Sequence, residues 1–266
     1  MASWTLAVEG LVQLATLASF AFVGNVLRAR GSHEPGAGVA TRAIVAWWWG
    51  LGAYLGMLGA LDLLAFVGFA PYALHLAARI VGVALLALCA WGFSTYVLYL
   101  YGGPSRALFR LTAIYGALAA LAFYAETWID HPTGVVVSAW ASGLAPPADP
   151  RLLQGVYAFF AIPLVASILA YASLFVRVRE PLQRYRIALV SSSLLAWVVG
   201  GFVGASSGGA AEFVAVTLLG LLAAGAVVLA YHPPRWVLAR IDPESEAAIE
   251  TRRRRTRLQD RLAELV

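Results

Sequence analysis

Residues 44–69 read IVAWWWGLGAYLGMLGALDLLAFVGF, and beyond Ala70-Pro71 residues 72–101 read YALHLAARIVGVALLALCAWGFSTYVLYLY. Each run exceeds the ~20 apolar residues that a helix needs to cross a bilayer. Each carries one formal charge, Asp62 in the first and Arg79 in the second. The short proline turn between them predicts antiparallel neighbours.

The rest of the chain follows suit. Of 266 residues, 61% are hydrophobic and 12% charged, against roughly 45–50% and about 25% in soluble domains. So few charges would not cover a soluble surface. The expected fold is all-α: a polytopic membrane protein whose residues 1–232 form a seven-transmembrane helix bundle, with spans at about 5–28, 44–69, 72–101, 108–129, 152–176, 186–206 and 211–231. Residues 233–266 are expected as a basic cytoplasmic helical tail. The N-terminus, Met1-Ala2-Ser3-Trp4, has no basic segment before the first apolar run, so that run is expected to be a retained span. Trp47, Trp48 and Trp49 opening span two, and Tyr99 and Tyr101 closing span three, are expected at headgroup level. Pro163 is expected to kink span five.

Orientation follows from the arginines, since the chain has no lysine. With seven spans, 17 of the 19 arginines fall on one side, Arg79 and Arg151 being the exceptions. The positive-inside rule then places the N-terminus outside and the tail in the cytoplasm, in a multi-pass cytoplasmic (inner) membrane. The absence of lysine also excludes a retinal Schiff base.

Small residues mark helix contacts. Gly52-x3-Gly56 and Gly200-x3-Gly204-x3-Gly208 place glycines one turn apart on one face, where backbones can approach closely. Packing within the chain is the favoured reading and a homodimer seam the alternative.

Ionisable groups in a span raise a functional hypothesis by default. Asp62 and Arg79 each lie about seven residues, or roughly 10 Å, below the outer boundary, close enough for an ion pair, with His75 one turn above Arg79. Glu126 and Asp130 end span four, and Glu212 opens span seven, on the same side. Two readings stay open: a buried pair that locks the bundle, or an outward polar pocket for a small ligand lined by Asp62, His75, Arg79, Glu126, Trp128 and Glu212.

Other chemistries fail on spacing. The four histidines are too scattered for bis-histidine haem, and one cysteine with two methionines offers a copper path few soft ligands. Gly204-Ala205-Ser206-Ser207-Gly208 matches a nucleophile-elbow string, but it ends a membrane helix far from His232. No enzyme, metal site or cofactor is expected.

In the tail, Asp242-Pro243-Glu244-Ser245-Glu246 looks like a helix start, and Leu258, Leu262 and Leu265 follow at heptad-like spacing. Arg252, Arg253, Arg254 and Arg255 read as an anchor on anionic membrane lipids. The alternative is a signalling linker that brings the 243–266 helix to a cytoplasmic protein partner. No aromatic residue is interleaved with the arginines, so no nucleic acid is expected.

Three segments resemble the N-terminal seven-transmembrane sensor region of bacterial and archaeal histidine kinases. They are Arg79 and Gly82 with the exit Tyr96, Tyr99, Tyr101 into Gly102-Gly103, then Arg184-Tyr185-Arg186, and the basic linker after span seven. The resemblance implies a membrane-embedded sensor that perceives a small or lipidic ligand and signals through its tail. Such a kinase would continue into phosphoacceptor and ATPase domains, so the resemblance implies a stand-alone or truncated sensor, or one with a separate output chain. The rival expectations are a structural or accessory subunit of a larger membrane complex, and a small transporter or channel.

Overall fold

The computed structural model describes residues 4–31, 38–102, 105–130, 132–145, 165–166, 168–206, 210–241 and 243. Helices dominate: α1 (Trp4–Gly31), α2 (Gly38–Phe66), α3 (Tyr72–Gly102) and α4 (Arg106–Asp130), then a hairpin of β1 (Val135–Val137) and β2 (Ser142–Leu144). Helices α5 (Ile168–Arg177), α6 (Pro181–Ser206), α7 (Ala210–Tyr231) and α8 (Arg235–Ile241) follow. Five of them, α1, α2, α3, α4 and α7, are long and apolar enough to cross a membrane. Pro181 opens α6, where its missing N–H costs nothing. Pro233 and Pro234 separate α7 from α8 because neither can donate to the helix ladder. The Pro163 kink and the helix expected over 243–266, including Arg252 to Arg255, lie outside the described residues.

Glycines set the distances between successive helices. A Cβ on Gly59 of α2 would fall 2.6 Å from the Gly10 carbonyl oxygen of α1, and one on Gly10 would fall 2.8 Å from the Gly59 carbonyl. Gly52 and Gly56 face Phe20 and Leu17 of the same helix. The Gly52-x3-Gly56 face is therefore filled from within the chain. On the α3 side, a Cβ on Gly92 would meet the Ala43 carbonyl at 2.6 Å, and Gly116 of α4 lies against Trp91 of α3. Close backbone contact of this kind is how helices associate where hydrophobic drive between them vanishes, as in lipid. Of the second glycine series, Gly200 faces Leu219 of α7, while Gly204 and Gly208 fall outside the residues whose side-chain environment is described.

These contacts also give directions. Gly10 meets Gly59 and Leu17 meets Gly56, so α1 and α2 are antiparallel. Gly92 meets Ala43 and Gly82 meets Tyr54, so α2 and α3 are antiparallel as well. Thr95–Thr112 and Tyr124–Ile80 hydrogen bonds set α4 antiparallel to α3. Helix α7 returns beside α1 and parallel to it, with Thr217 bonded to Glu9 and His232 edge-on to Phe22 at 6.1 Å.

The core lies toward the end of the bundle opposite the hairpin. Trp48 is 2% exposed and stacks on Phe20 with centroids 5.1 Å apart; Trp47 packs on Phe93 at 4.5 Å. Two of the three tryptophans expected at headgroup level thus pack within the bundle. Helix α2 begins at Gly38, about two turns earlier than that reading assumed. Only Trp49, partly exposed beneath the Arg28 guanidinium, has the amphipathic surroundings of a headgroup aromatic.

The Gly10–Gly59 contact gives a direct test. Gly59→Leu forces backbones apart and should cost about 1–3 kcal/mol, read as a lower midpoint of thermal unfolding in mild detergent. Gly134→Leu, in open space on the hairpin, should leave that midpoint unchanged.

Candidate functional site

A carboxylate inside an apolar helix must find donors or lose its charge. Asp62, near the C-terminal end of α2, is 2% exposed. Its donor comes from the hairpin. The backbone N–H of Ser142 donates to Asp62 Oδ1 at 2.6 Å. Ser142 Oγ lies 3.3 Å from His75 Nε2, while His75 Nδ1 lies 3.1 Å from the Pro71 carbonyl. A carbonyl can only accept, so Nδ1 carries a hydrogen and Nε2 is left to face the serine. Asp62, Ser142 and His75 thus form one buried chain that joins α2, β2 and α3.

The hairpin is fastened at two more points. Tyr72 Oη donates to the Pro132 carbonyl at 2.7 Å, and the Thr5 hydroxyl donates to the Ala139 carbonyl. Its own turn is internally satisfied. Ser138 N–H donates to the Ala141 carbonyl at 2.9 Å, and Ser138 Oγ accepts from the N–H groups of Trp140 and Ala141. Strand register pairs Val137 with Ser142, Val136 with Gly143 and Val135 with Leu144. An isolated two-stranded hairpin is marginal in water, so these ties to α1, α2 and α3 are what give it a fixed place.

Beneath this roof lies a cavity of about 300 Å³ between α2, α3 and α4. From α3, His75 and Arg79 face it one turn apart, with Gly82, Val83 and Leu86 continuing the same face. Tyr54, Met57, Leu58 and Leu61 of α2 form the opposite wall, and Phe123 and Thr127 of α4 close the side. Ser142, Gly143 and Leu144 form the roof. Arg79 Nε donates to Thr127 Oγ1 at 3.2 Å, and its guanidinium carbon stands 5.7 Å from the Phe123 ring centroid.

The expected site residues therefore divide. His75 and Arg79 line one cavity, and Asp62 stands behind its roof. Asp62 meets Ser142, and Arg79 meets Thr127 and Phe123, so the contacts resolved for these two groups differ from the Asp62–Arg79 pair that the spacing suggested. Trp128 is 77% exposed and does not line the cavity. Glu126 lies on α4 and Glu212 on α7, but their side chains lie outside the described residues, as does that of Asp130.

Sequence reasoning missed Glu9. It is buried in α1 and accepts from Gln13 Nε2 at 2.8 Å and from the Thr217 hydroxyl of α7 at 2.8 Å. The signal was present, since a carboxylate in the second turn of an apolar helix obeys the same rule as Asp62. Ser142 carried no comparable signal. It acts mainly through its backbone N–H, and only the Val135-Val136-Val137 run hinted that this loop pairs with itself.

The two buried carboxylates respond differently to loss of a hydroxyl. Ser142→Ala keeps the backbone donor to Asp62 and should cost about 1 kcal/mol, whereas Thr217→Val leaves Glu9 short of a donor and should cost about 1–3 kcal/mol. Thermal unfolding of both variants in one detergent checks the order, and a larger loss in Ser142→Ala contradicts it.

Compared with known proteins, the chain matches no family model, no curated protein and no solved structure.

Proposed function

We propose that this chain is a seven-span membrane sensor whose ligand enters the hairpin-roofed cavity from outside the cell. Parity supports the span count. Helices α1 to α4 alternate in direction, α7 runs parallel to α1, and α6 packs against α7 across the short connection between Ser206 and Ala210. One more crossing, where α5 lies, brings the chain from the hairpin end to the start of α6. Arg184 at the start of α6 stacks on Phe175 of α5 at 4.7 Å, consistent with a turn at the opposite end. The arginine bias then assigns the hairpin to the outside and α8 to the cytoplasm.

The observation that supports the function is the partly open cavity, mostly apolar but with two convergent polar groups on one helix face, which is the general form of a small-molecule site. Helix α7 connects this region to the cytoplasmic end, since Thr217 touches Glu9 near the site and α8 follows directly after His232. A ligand that binds two arrangements of α2 and α3 unequally would bias α7 through α1. This is the behaviour expected of the histidine-kinase sensor regions that the sequence resembles.

Two experiments test this. In a Cys89→Ser background, Gly134→Cys should react with a membrane-impermeant maleimide on intact cells and Trp236→Cys only after permeabilisation; the reverse pattern contradicts the orientation. Purification from the native membrane in mild detergent, followed by mass spectrometry, should give a lone chain or dimer with a bound small molecule. A stoichiometric partner without signalling character would instead make this chain a subunit of a complex. Solute flux in liposomes would make it a transporter.

A further inference from the structure

The roof over the cavity is fastened through groups that can gain or lose a proton. We propose that it is a proton-operated latch: uptake of one proton by His75 tightens the hairpin over the cavity, and loss of that proton slackens it. The latch goes beyond the sensor reading and does not depend on what the cavity holds.

One residue builds it. Ser142 ties the roof to two helices through two different atoms. Its N–H donates to Asp62 of α2 at 2.6 Å, and its Oγ lies 3.3 Å from Nε2 of His75 on α3. Asp62, Ser142 and His75 are all buried, so each ionisable end of the chain must find its hydrogen-bond partners in the protein.

The hydrogens of this chain can be placed in two ways. His75 Nδ1 donates to the Pro71 carbonyl at 3.1 Å. In the neutral ring Nε2 therefore has no hydrogen, and the Ser142 hydroxyl must donate to it. When the ring takes up a proton, Nε2–H donates to Ser142 Oγ instead. A hydroxyl both donates and accepts, so it serves either state. The serine hydrogen released from Nε2 can then turn to the Asp62 side, where a carboxylate accepts. The proton reaches the ring from the cavity, which His75 lines.

The two states differ in strength. A hydrogen bond from an imidazolium is shorter and roughly twice as strong as its neutral counterpart, and a 3.3 Å contact has room to shorten. The surrounding charges then decide whether a cation is tolerated. Among the described residues, α2 brings Asp62 and the Tyr54 phenol toward this region, and α4 brings Tyr124, which is bonded to the Ile80 carbonyl. Strand β2 brings no charged side chain. Helix α3 itself adds Tyr72, bonded to Pro132, and Arg79 one turn away. Glu9 stands beyond α2, in α1. Arg79 opposes a second positive charge, but its guanidinium is drawn to Thr127 and Phe123 of α4. Asp62 is separated from the imidazole by a single residue, so attraction prevails.

The sign follows. The protonated ring gains from the closed roof what the neutral ring does not, so closing takes up a proton. Histidine ordinarily changes charge between about pH 5 and 8. The latch tightens as pH falls through that window and slackens as it rises. Protonation of Asp62 would act the other way, because it removes the charge that holds the Ser142 N–H.

Hydrogen exchange followed by mass spectrometry tests this on the full chain in nanodiscs at about pH 8 and about pH 5.5, on either side of the ordinary histidine range. Each rate is divided by that of the same peptide unfolded at the same pH. Protection over 132–145, relative to the tryptophan end of α2 in the same sample, should rise roughly tenfold at the lower pH. His75→Gln cannot take up the proton, and Ser142→Ala keeps the N–H to Asp62 but lacks the hydroxyl; each should remove the rise. Equal or lower protection at the lower pH in the unaltered chain overturns the latch, a fall being the signature of Asp62. A rise that persists in either variant overturns it too, since another group then carries it. If His75→Gln does not fold, Ser142→Ala decides.

Discussion

One buried carboxylate organises the hairpin end of this protein. Asp62 is buried on an apolar helix, and a donor it finds is the backbone N–H of a residue 80 positions further along the chain. A hydrogen bond to a charged group contributes about 1.5–3 kcal/mol, comparable with everything a three-residue strand pair can contribute by itself. The bond therefore works in both directions. It keeps the Asp62 charge tolerable and it fixes a hairpin that would otherwise be marginal. Because Ser142 also meets His75, the same residue draws α2 and α3 under one roof, over the cavity between them.

That space is left open by a contrast in packing. On one side α2 approaches α1 so closely that Gly10 and Gly59 have no room for a Cβ. On the other, α3 approaches α2 through Gly92 at the tryptophan end, but nearer the hairpin Gly82 faces the flexible ends of Met57 and Tyr54. The helices thus meet through backbone at the tryptophan end and through side chains where His75 and Arg79 line the cavity.

Much of this was legible in the sequence, for reasons that name particular residues. Length and apolarity set α1, α3, α4 and α7 within a few residues, and α2 apart from its earlier start at Gly38. The rule that intramembrane charges are rarely idle singled out Asp62 and Arg79, and helical spacing added His75. Partner choice was not legible. Spacing suggested that Asp62 and Arg79 would meet, yet a backbone N–H from a distant loop competes as a donor, and no pattern in side chains announces it. The packing of the tryptophans was not legible either: the apolar run suggested a start near residue 44, but Arg42 and Thr41 are accommodated inside α2. The Arg42 Nε bonds back to the Gly38 carbonyl at 2.9 Å, so the helix starts earlier and Trp48 is drawn into the core.

The shape of the cavity depends on Asp62 holding the hairpin over it. Hydrogen exchange followed by mass spectrometry, on the unaltered chain and on Asp62→Ala, addresses that dependence most directly. Peptides covering 132–145 should exchange roughly tenfold faster or more in the variant, while α1 and the tryptophan end of α2 keep their protection. Unchanged protection over 132–145 would mean that the hairpin stands without the carboxylate, and would contradict Asp62 as its anchor.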